Sequence, residues 1–147
     1  MKRALVTGGT RGIGAAIAVS LVRSGYEVLV SGRTADGKAP KGCTYLACDF
    51  EDREALRAFA AEVSSQAFDV LVNNAGINKI GLLATYDPND FERIHQVNVM
   101  APFSLCQAVI PGMCDREFGR IVNITSIWGL VSRPERSAYS ASKFALF

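Results

Sequence analysis

Three polar residues in the second half of the sequence have types and spacing suited to proton transfer. Tyr139 and Lys143 are four positions apart, so in a helix both side chains point the same way. A nearby ammonium stabilises a phenolate, which makes a tyrosine a better acid–base group. Ser126 lies just after an apolar run typical of a strand, thirteen positions before the tyrosine. An isolated Tyr-x-x-x-Lys is also a common surface pattern.

A glycine-rich segment near the N-terminus has the composition of a phosphate-binding loop. Gly8 can form a tight turn, Gly12 lets a pyrophosphate approach the backbone, and Gly14 lets a helix pack closely. Phosphates would then bind at a helix N-terminus, where free N–H groups and the dipole favour an anion. A purely structural turn is the alternative. The candidate phosphate-binding residues are Gly8, Gly9, Thr10, Arg11, Gly12, Ile13 and Gly14.

The elements that must position these residues alternate along the chain. Asp87 ahead of Pro88 predicts a helix start, and Gly25 predicts a helix stop. This alternation predicts an α/β fold in which right-handed crossovers build a parallel sheet covered on both faces. We expect one domain over residues 1–147. The strand-like runs are 3–6, 26–31, 43–48, 69–73 and 120–125, and the helical runs are 13–23, 51–64, 88 to about 114, and 137–147.

Several motifs, in order and over essentially the whole chain, resemble those of the short-chain dehydrogenase/reductase family. The loop at 7–14 is similar to the family signature TGxxxGxG, and residues 73–76 match its NNAG motif. The positions of Ser126, Tyr139 and Lys143 match its Ser…Tyr-x-x-x-Lys pattern. The resemblance implies a Rossmann-like doubly wound parallel sheet with strand order 3-2-1-4-5.

The resemblance also implies a role for each of four catalytic residues. Tyr139 would give its proton to a carbonyl oxygen as hydride arrives from a nicotinamide, and Ser126 would hydrogen-bond the same oxygen. Lys143 would hold the nicotinamide ribose, and Asn98, at the family's fourth position, would position a water linking the lysine to solvent. Pro102 has no N–H, so the Asn98 carbonyl should be free to hold this water. A plain packing kink is an equal alternative.

The end of the second strand-like run bears on the choice between NAD and NADP. An acidic residue there bonds the ribose 2′-hydroxyl, whereas a basic residue binds a 2′-phosphate. Gly32 stands where NAD-preferring members usually carry Asp, Arg33 follows it, and Arg11 could reach the same pocket. Two guanidinium groups bind a phosphate through strong charge-assisted bonds. We therefore predict NADP rather than NAD, with a solvated Arg33 as the alternative.

Two further segments are expected beside the adenosine half of the cofactor. By resemblance, Asp49 accepts from the adenine amino group, and the Phe50 backbone contacts the ring. A helix N-cap is a competing and compatible role for Asp49. Asn73 is expected to be structural, tying neighbouring strands or loops. The residues expected close to the adenosine ribose are Asn74, Ala75 and Gly76.

Composition argues against several other classes of protein. The chain is 49% hydrophobic and 20% charged with a net charge of +2, and its Lys and Arg are scattered. This distribution provides no cluster of basic residues of the kind that binds nucleic acid or an anionic membrane. Apolar stretches are strand-sized and the N-terminus lacks a leader pattern, so we expect no membrane helix and a cytoplasmic protein. Cys43, Cys48, Cys106 and Cys114 lack metal-ligand spacing and are expected to be small buried hydrophobic residues in a reducing compartment.

Family members usually run to about 250 residues, so the resemblance implies that this chain stops short of the family fold. The absent part would contain two strands and most of the substrate pocket. Residues 121–124 should then form an exposed strand edge that is open to pairing. Trp128 and residues 130–131 either line an apolar part of the pocket or belong to the core.

The predicted function is that of an NADP(H)-dependent reductase acting on a small-molecule or acyl-thioester carbonyl, as a homo-oligomer. A 3-oxoacyl thioester is one candidate substrate, and a sugar or polyol is another. A non-catalytic NADP-binding module, or a remnant acting as an assembly partner, is the alternative function.

Overall fold

The computed structural model describes all 147 residues and contains a five-stranded sheet in which every pairing is parallel. The strand order β3-β2-β1-β4-β5 confirms the predicted α/β, Rossmann-like doubly wound sheet. The direction of strand addition reverses between β1 and β4, and ligands of such sheets bind at this switch point. The strands are β1 Arg3–Val6, β2 Glu27–Gly32, β3 Cys43–Ala47, β4 Val70–Asn73 and β5 Arg120–Asn123.

The helices follow the predicted order, with one addition. A π-helical turn at Gln96–Met100 joins α3 to α4, where the sequence predicted a single helix. Asp87 caps α3 by accepting the Asn89 N–H at 2.9 Å, as predicted. The helices are α1 Gly12–Arg23, α2 Arg53–Ser64, α3 Pro88–His95, α4 Ala101–Asp115 and α5 Ser137–Phe144, with 3-10 turns at Leu83–Thr85 and Ile127–Gly129.

The strands alternate their side chains between two apolar layers, because successive residues of a strand point to opposite faces. Leu5 and Leu71 point to the face covered by α2 and α4. Val6 and Val30 point to the face covered by α1, where Ala18 packs against them. Burial on both faces explains why these strands are apolar throughout. The sheet is therefore held from both sides, and its carboxyl edge is left for the loops.

The helical run from Pro88 to Asp115 is 28 residues long and, by length and composition only, could cross a membrane. The sequence pattern predicted apolar stretches of strand length only, and this expectation was wrong for the run. Val97, Leu105 and Val109 lie in the core beneath the sheet, which accounts for the apolar residues on that side of the run; 39% of its most apolar window is buried. We therefore interpret it as a core helix.

Strand β5 forms an exposed edge of the sheet, as predicted. Ile121 is 37% exposed and Val122 is 44% exposed, whereas the corresponding residues of β4 are buried. Asn73 of β4 donates through Nδ2 to Oδ1 of Asn123 at 2.9 Å, so it links the two strands as the sequence analysis expected.

Candidate active site

The glycine loop connects β1 to α1 in the geometry that an anion-binding loop requires. Gly8 and Gly12 have φ of +62° and +56°, a left-handed conformation that favours glycine. A Cβ on Gly14 would lie 2.4 Å from the Gly8 carbonyl oxygen, so the helix packs against the loop as predicted. Helix α1 has no side-chain cap and no acidic residue in its first turn. Its first N–H groups are therefore available to an anion.

A cavity of about 780 Å³ lies along this loop at the carboxyl ends of β1 to β4. Gly9 is the one predicted loop residue that does not line it: its N–H donates to the Ser31 carbonyl at 3.0 Å. A Cβ on Gly9 would lie 2.6 Å from Val30, so this glycine serves packing. The predicted residues that line the cavity are Gly8, Thr10, Arg11, Gly12, Ile13, Gly14, Arg33, Asp49, Phe50, Asn74, Ala75 and Gly76.

Thr7, which the sequence analysis did not single out for the site, ties the glycine loop to the segment after β4. Its buried hydroxyl accepts the N–H groups of Asn74 and Ala75, both at 3.0 Å. The Asn74 side chain donates in return to the carbonyl oxygens of Thr7 and Gly8, at 2.9 Å and 3.1 Å. These bonds hold two walls of the cavity together. The feature of the sequence that could have indicated this role is a hydroxyl residue at the end of β1.

Arg33 lies on the rim of the cavity beside two carboxylates. Its side chain is 65% exposed, with Nε 3.8 Å from Oδ2 of Asp49 and Nη1 3.7 Å from Oε1 of Glu51. Arg11 lines the same cavity. Both cations that the sequence analysis assigned to a 2′-phosphate therefore face one space. Glu51, which also lines the cavity, was missed because it was assigned to a helix.

Asp49 is not the N-cap of α2, so that alternative was wrong. Helix α2 begins at Arg53, and Asp52 caps it by accepting the N–H groups of residues 54 and 55. Oδ1 of Asp49 instead accepts the Glu51 N–H at 3.0 Å in a short turn before the helix. Oδ2 of Asp49 faces Arg33. Asp49 and Asp52 lie three positions apart, and because of the turn between them Asp52 is the residue that caps the helix.

Asn98 is fully buried in the π-helical turn, and its amide joins two other elements of the site. Oδ1 accepts the Ile77 N–H at 2.8 Å, and Nδ2 donates to the Ile77 carbonyl at 2.9 Å and to Ser142 Oγ at 3.0 Å. Ser142 Oγ donates in turn to the Tyr139 carbonyl at 2.8 Å. Asn98 thereby fixes both the segment after β4 and the helix that carries the tyrosine.

The backbone around Pro102 is irregular, as its missing N–H predicted. The proline lies in the first turn of α4, and the Ala101 N–H donates to the Gln96 carbonyl five residues back. The irregularity is thus a π-turn within a continuous helix. Whether the Asn98 carbonyl holds a water stays a prediction.

Lys143 is buried on α5, and its ammonium lies beside Gly76 of the cavity wall. Nζ donates to the Ile124 carbonyl at 2.8 Å and lies 5.7 Å from the centre of the Tyr139 ring. Burial lowers the pKa of Lys143. A Cβ on Gly76 would lie 3.6 Å from Nζ and 3.4 Å from Asn98 Oδ1. Gly76, on the cavity wall, therefore adjoins both residues.

Ser126 follows β5 and opens the 3-10 turn that packs on α5. Its half-buried Oγ accepts the Trp128 N–H at 3.2 Å. A Cβ on Gly129 would lie 2.9 Å from the backbone of Lys143, so the turn and the helix are in direct contact. The structure thus gathers all four predicted catalytic residues into adjoining elements at the carboxyl edge of the sheet, outside the walls of the main cavity.

Residues 130 and 131, which the sequence left open between pocket and core, are not core residues. Leu130 is 66% exposed and Val131 is 55% exposed, so the core alternative was wrong for both. Trp128 is half-buried, with the Arg133 guanidinium 5.6 Å from its ring. The apolar surface beside Ser126 is therefore open to solvent.

Comparison with known proteins identifies the class to which this fold and site belong. A family model described as short chain dehydrogenase matches residues 2–147. The chain therefore belongs to the short-chain dehydrogenase family, a family of oxidoreductases. Similar solved structures include a short-chain dehydrogenase from Streptomyces avermitilis, with 34% identity and a TM-score of 0.89 over 99% of this chain and 56% of that one. A metagenomic short-chain oxidoreductase in complex with NADP has 37% identity and a TM-score of 0.87 over 99% of this chain and 70% of that one.

Curated relatives include two reductases of thioester substrates by name. The chain is 40% identical to acetoacetyl-CoA reductase of Shinella zoogloeoides, over 95% of this chain and 61% of that protein. It is 36% identical to the 3-oxoacyl-(acyl-carrier-protein) reductase FabG of Rickettsia conorii, over 99% of this chain and 62% of that protein. The chain thus spans about three fifths of the length of these relatives.

Proposed function

We propose that this chain binds NADP(H) and takes part in hydride transfer between the nicotinamide and a carbonyl or alcohol substrate. The proposal rests on the position of Gly76, which lines the cavity and lies next to two of the candidate catalytic residues. A Cβ there would lie 3.6 Å from Lys143 Nζ and 3.4 Å from Asn98 Oδ1. A dinucleotide with its diphosphate at the start of α1 would extend along the cavity toward this point.

The residues of the cavity fit a dinucleotide. No atom lies within 4 Å of a Cβ built on Gly12, so the loop leaves open space at the start of α1. Arg33 and Arg11 would hold the 2′-phosphate of NADP, and Asp49 and Phe50 would flank the adenine. Asn74, Ala75 and Gly76 would contact the adenosine ribose. The similar oxidoreductase solved with NADP supports this choice of cofactor, and NAD is the less favoured alternative.

The chain's own residues would handle the proton of the reaction. When bound, the nicotinamide supplies or accepts the hydride. During reduction the Tyr139 hydroxyl donates its proton to the carbonyl oxygen, and the Ser126 hydroxyl hydrogen-bonds the same oxygen. Lys143 stabilises the phenolate and binds the nicotinamide ribose hydroxyls, with its ammonium oriented by the Ile124 carbonyl at 2.8 Å.

Asn98 would act by positioning rather than by contact with the substrate. Its amide is committed to Ile77 and Ser142 and so is not available to a ligand. We propose that its carbonyl holds a water that returns protons to Lys143, because Pro102 cannot donate to that carbonyl.

The substrate we propose is a 3-oxoacyl thioester, and the active species a homo-oligomer. The names of the two thioester reductases among the relatives support this substrate class. Leu130 and Val131 provide exposed apolar surface beside Ser126, suited to an acyl chain. Phe103 and Ile110 on α4 are 56% and 44% exposed, which favours contact with another copy.

The test separates binding from turnover. NADPH fluorescence titration should show saturable binding, and NADPH oxidation with acetoacetyl-CoA should be measurable. Tyr139→Phe should lower turnover by about 10²- to 10⁴-fold and leave NADPH affinity unchanged, because only the transferable proton is lost. Tyr26→Phe, at a half-buried tyrosine outside the cavity, is the matched control. Binding without turnover would support the non-catalytic NADP-binding module instead, and absence of binding would refute both functions.

A further inference from the structure

A series of charged side chains extends from the rim of the cavity to helix α3. Arg33 faces Glu51 at 3.7 Å, and Glu51 pairs with Arg93 of α3. Arg93 also contacts Asp90 at 3.1 Å, and Asp90 pairs with Lys79. Arg33 and Glu51 line the cavity, whereas Arg93 does not. The series therefore connects the proposed 2′-phosphate site to a residue outside it.

The negative charge of Glu51 opposes the binding of a phosphate at the rim of the cavity. Arg33 lies 3.8 Å from Asp49 and 3.7 Å from Glu51, so a phosphate bound to this guanidinium would approach two carboxylates. The phosphate and the carboxylates carry like charges and would repel each other, although solvent at the rim screens part of this repulsion. An unpaired Glu51 would also compete with the phosphate for Arg33.

Arg93 compensates this charge directly. Its Nε lies 2.9 Å from Oε2 of Glu51 and its Nη2 lies 3.0 Å from Oε1, a bidentate pair. Both distances are shorter than the 3.7 Å between Arg33 and the same carboxylate. Bidentate arginine–carboxylate pairs are among the stronger polar contacts of proteins. Asp90, which is only 9% exposed, holds Arg93 in place.

We propose that Arg93 is a positioning residue for cofactor specificity: by pairing with Glu51 it reduces the competition of this carboxylate for Arg33, so that Arg33 binds a 2′-phosphate and favours NADP over NAD. This inference rests on the proposed binding of NADP in the cavity. Arg93 acts through Glu51 and Arg33 and does not touch the cofactor. A purely structural bridge between α3 and the segment after β3 would affect both cofactors equally.

The experiment measures the affinities of adenosine 2′,5′-bisphosphate and adenosine 5′-monophosphate by calorimetry. Arg93→Gln should weaken the bisphosphate about tenfold relative to the monophosphate, the effect of losing one charge-assisted contact. Glu51→Gln should keep or raise the preference for the bisphosphate, and the double variant should recover the parent's preference. Arg57→Gln is the matched control, because Arg57 pairs with Glu54 at 2.7 Å on α2 and does not line the cavity.

The outcomes distinguish this inference from the proposed function. A parent that does not prefer the bisphosphate overturns both. A parent that prefers it, with the preference unchanged in Arg93→Gln or not recovered in the double variant, overturns the inference alone. Should Arg93→Gln fail to fold, Glu51→Gln decides: a reduced preference for the bisphosphate in that variant overturns the inference, and a kept or raised preference supports it.

Discussion

The hydroxyl of Thr7 should be essential to the stability of the cavity walls. It accepts two backbone N–H groups, from Asn74 and Ala75, at 3.0 Å each, and it is 2% exposed. Valine has the same shape but cannot accept a hydrogen bond. Thr7→Val would therefore leave two N–H groups without an acceptor, while Thr7→Ser would keep the acceptor.

The expected cost depends on the number of unsatisfied groups. A buried donor without a partner costs about 1–3 kcal/mol. Asn74 and Ala75 are half-buried, so we take the lower part of this range and expect Thr7→Val to destabilise the chain by about 2–3 kcal/mol. Thr7→Ser loses only one methyl group, worth about 1 kcal/mol.

Urea denaturation at neutral pH, followed by circular dichroism, measures both variants against the parent. Thr44→Val is the control, because the exposed Thr44 hydroxyl donates one long bond to the Val28 carbonyl at 3.4 Å. It should change the free energy of unfolding by less than about 0.5 kcal/mol. A Thr7→Val variant as stable as Thr7→Ser would refute the reasoning, since the hydroxyl would then not be satisfying the two N–H groups.

Two further predictions concern pH and packing. Burial raises the pKa of Cys48 from 9.0 to about 12, so its thiol stabilises the fold below pH 9 and this contribution is lost as the pH rises toward 12. Between pH 7 and pH 10 the free energy of unfolding of the parent should fall by about 1 kcal/mol more than that of Cys48→Ala in urea denaturation, and equal losses would contradict the burial effect. Gly14→Ala should destabilise the chain by about 1–3 kcal/mol because its Cβ would meet the Gly8 carbonyl oxygen at 2.4 Å. Gly112→Ala, whose Cβ meets only the end of the Arg116 side chain at 3.0 Å, should change the stability by less than about 1 kcal/mol in thermal unfolding. A Gly14→Ala variant at least as stable as the parent would contradict the packing argument.

The parallel sheet and the main helices could be predicted because the chain alternates apolar strand runs with helical runs. The order of the strands was predicted only from the resemblance of the motifs to those of the family. Local chemistry also located the turn at Gly8 and the cap at Asp87. The capping of α2 could not be predicted as reliably, since Asp49 and Asp52 are both acceptable caps and only the turn between them selects one.

The contacts of the residues that support the site could not be predicted from the sequence, for a different reason. Thr7 contacts residues more than sixty positions away, and Ser142 contacts Asn98 across 44 positions. Such contacts depend on how the elements pack. The hydroxyl residue at the end of β1 could be seen in the sequence, but its partners could not. Glu51 was missed because its charge matters only beside Arg33 and Arg93, which the fold brings together.

The π-helical turn at Gln96–Met100 changes the phase of the helix in which it lies. In an unbroken α-helix, residues 98 and 105 would point to nearly the same side, because seven residues complete almost two turns. One additional residue in the turn rotates the rest of the helix by about 100°. Asn98 can therefore point to Ile77 and Ser142 while Leu105 points into the core. The turn thus lets one continuous helix present a polar amide to the site and, a few residues later, an apolar side to the core.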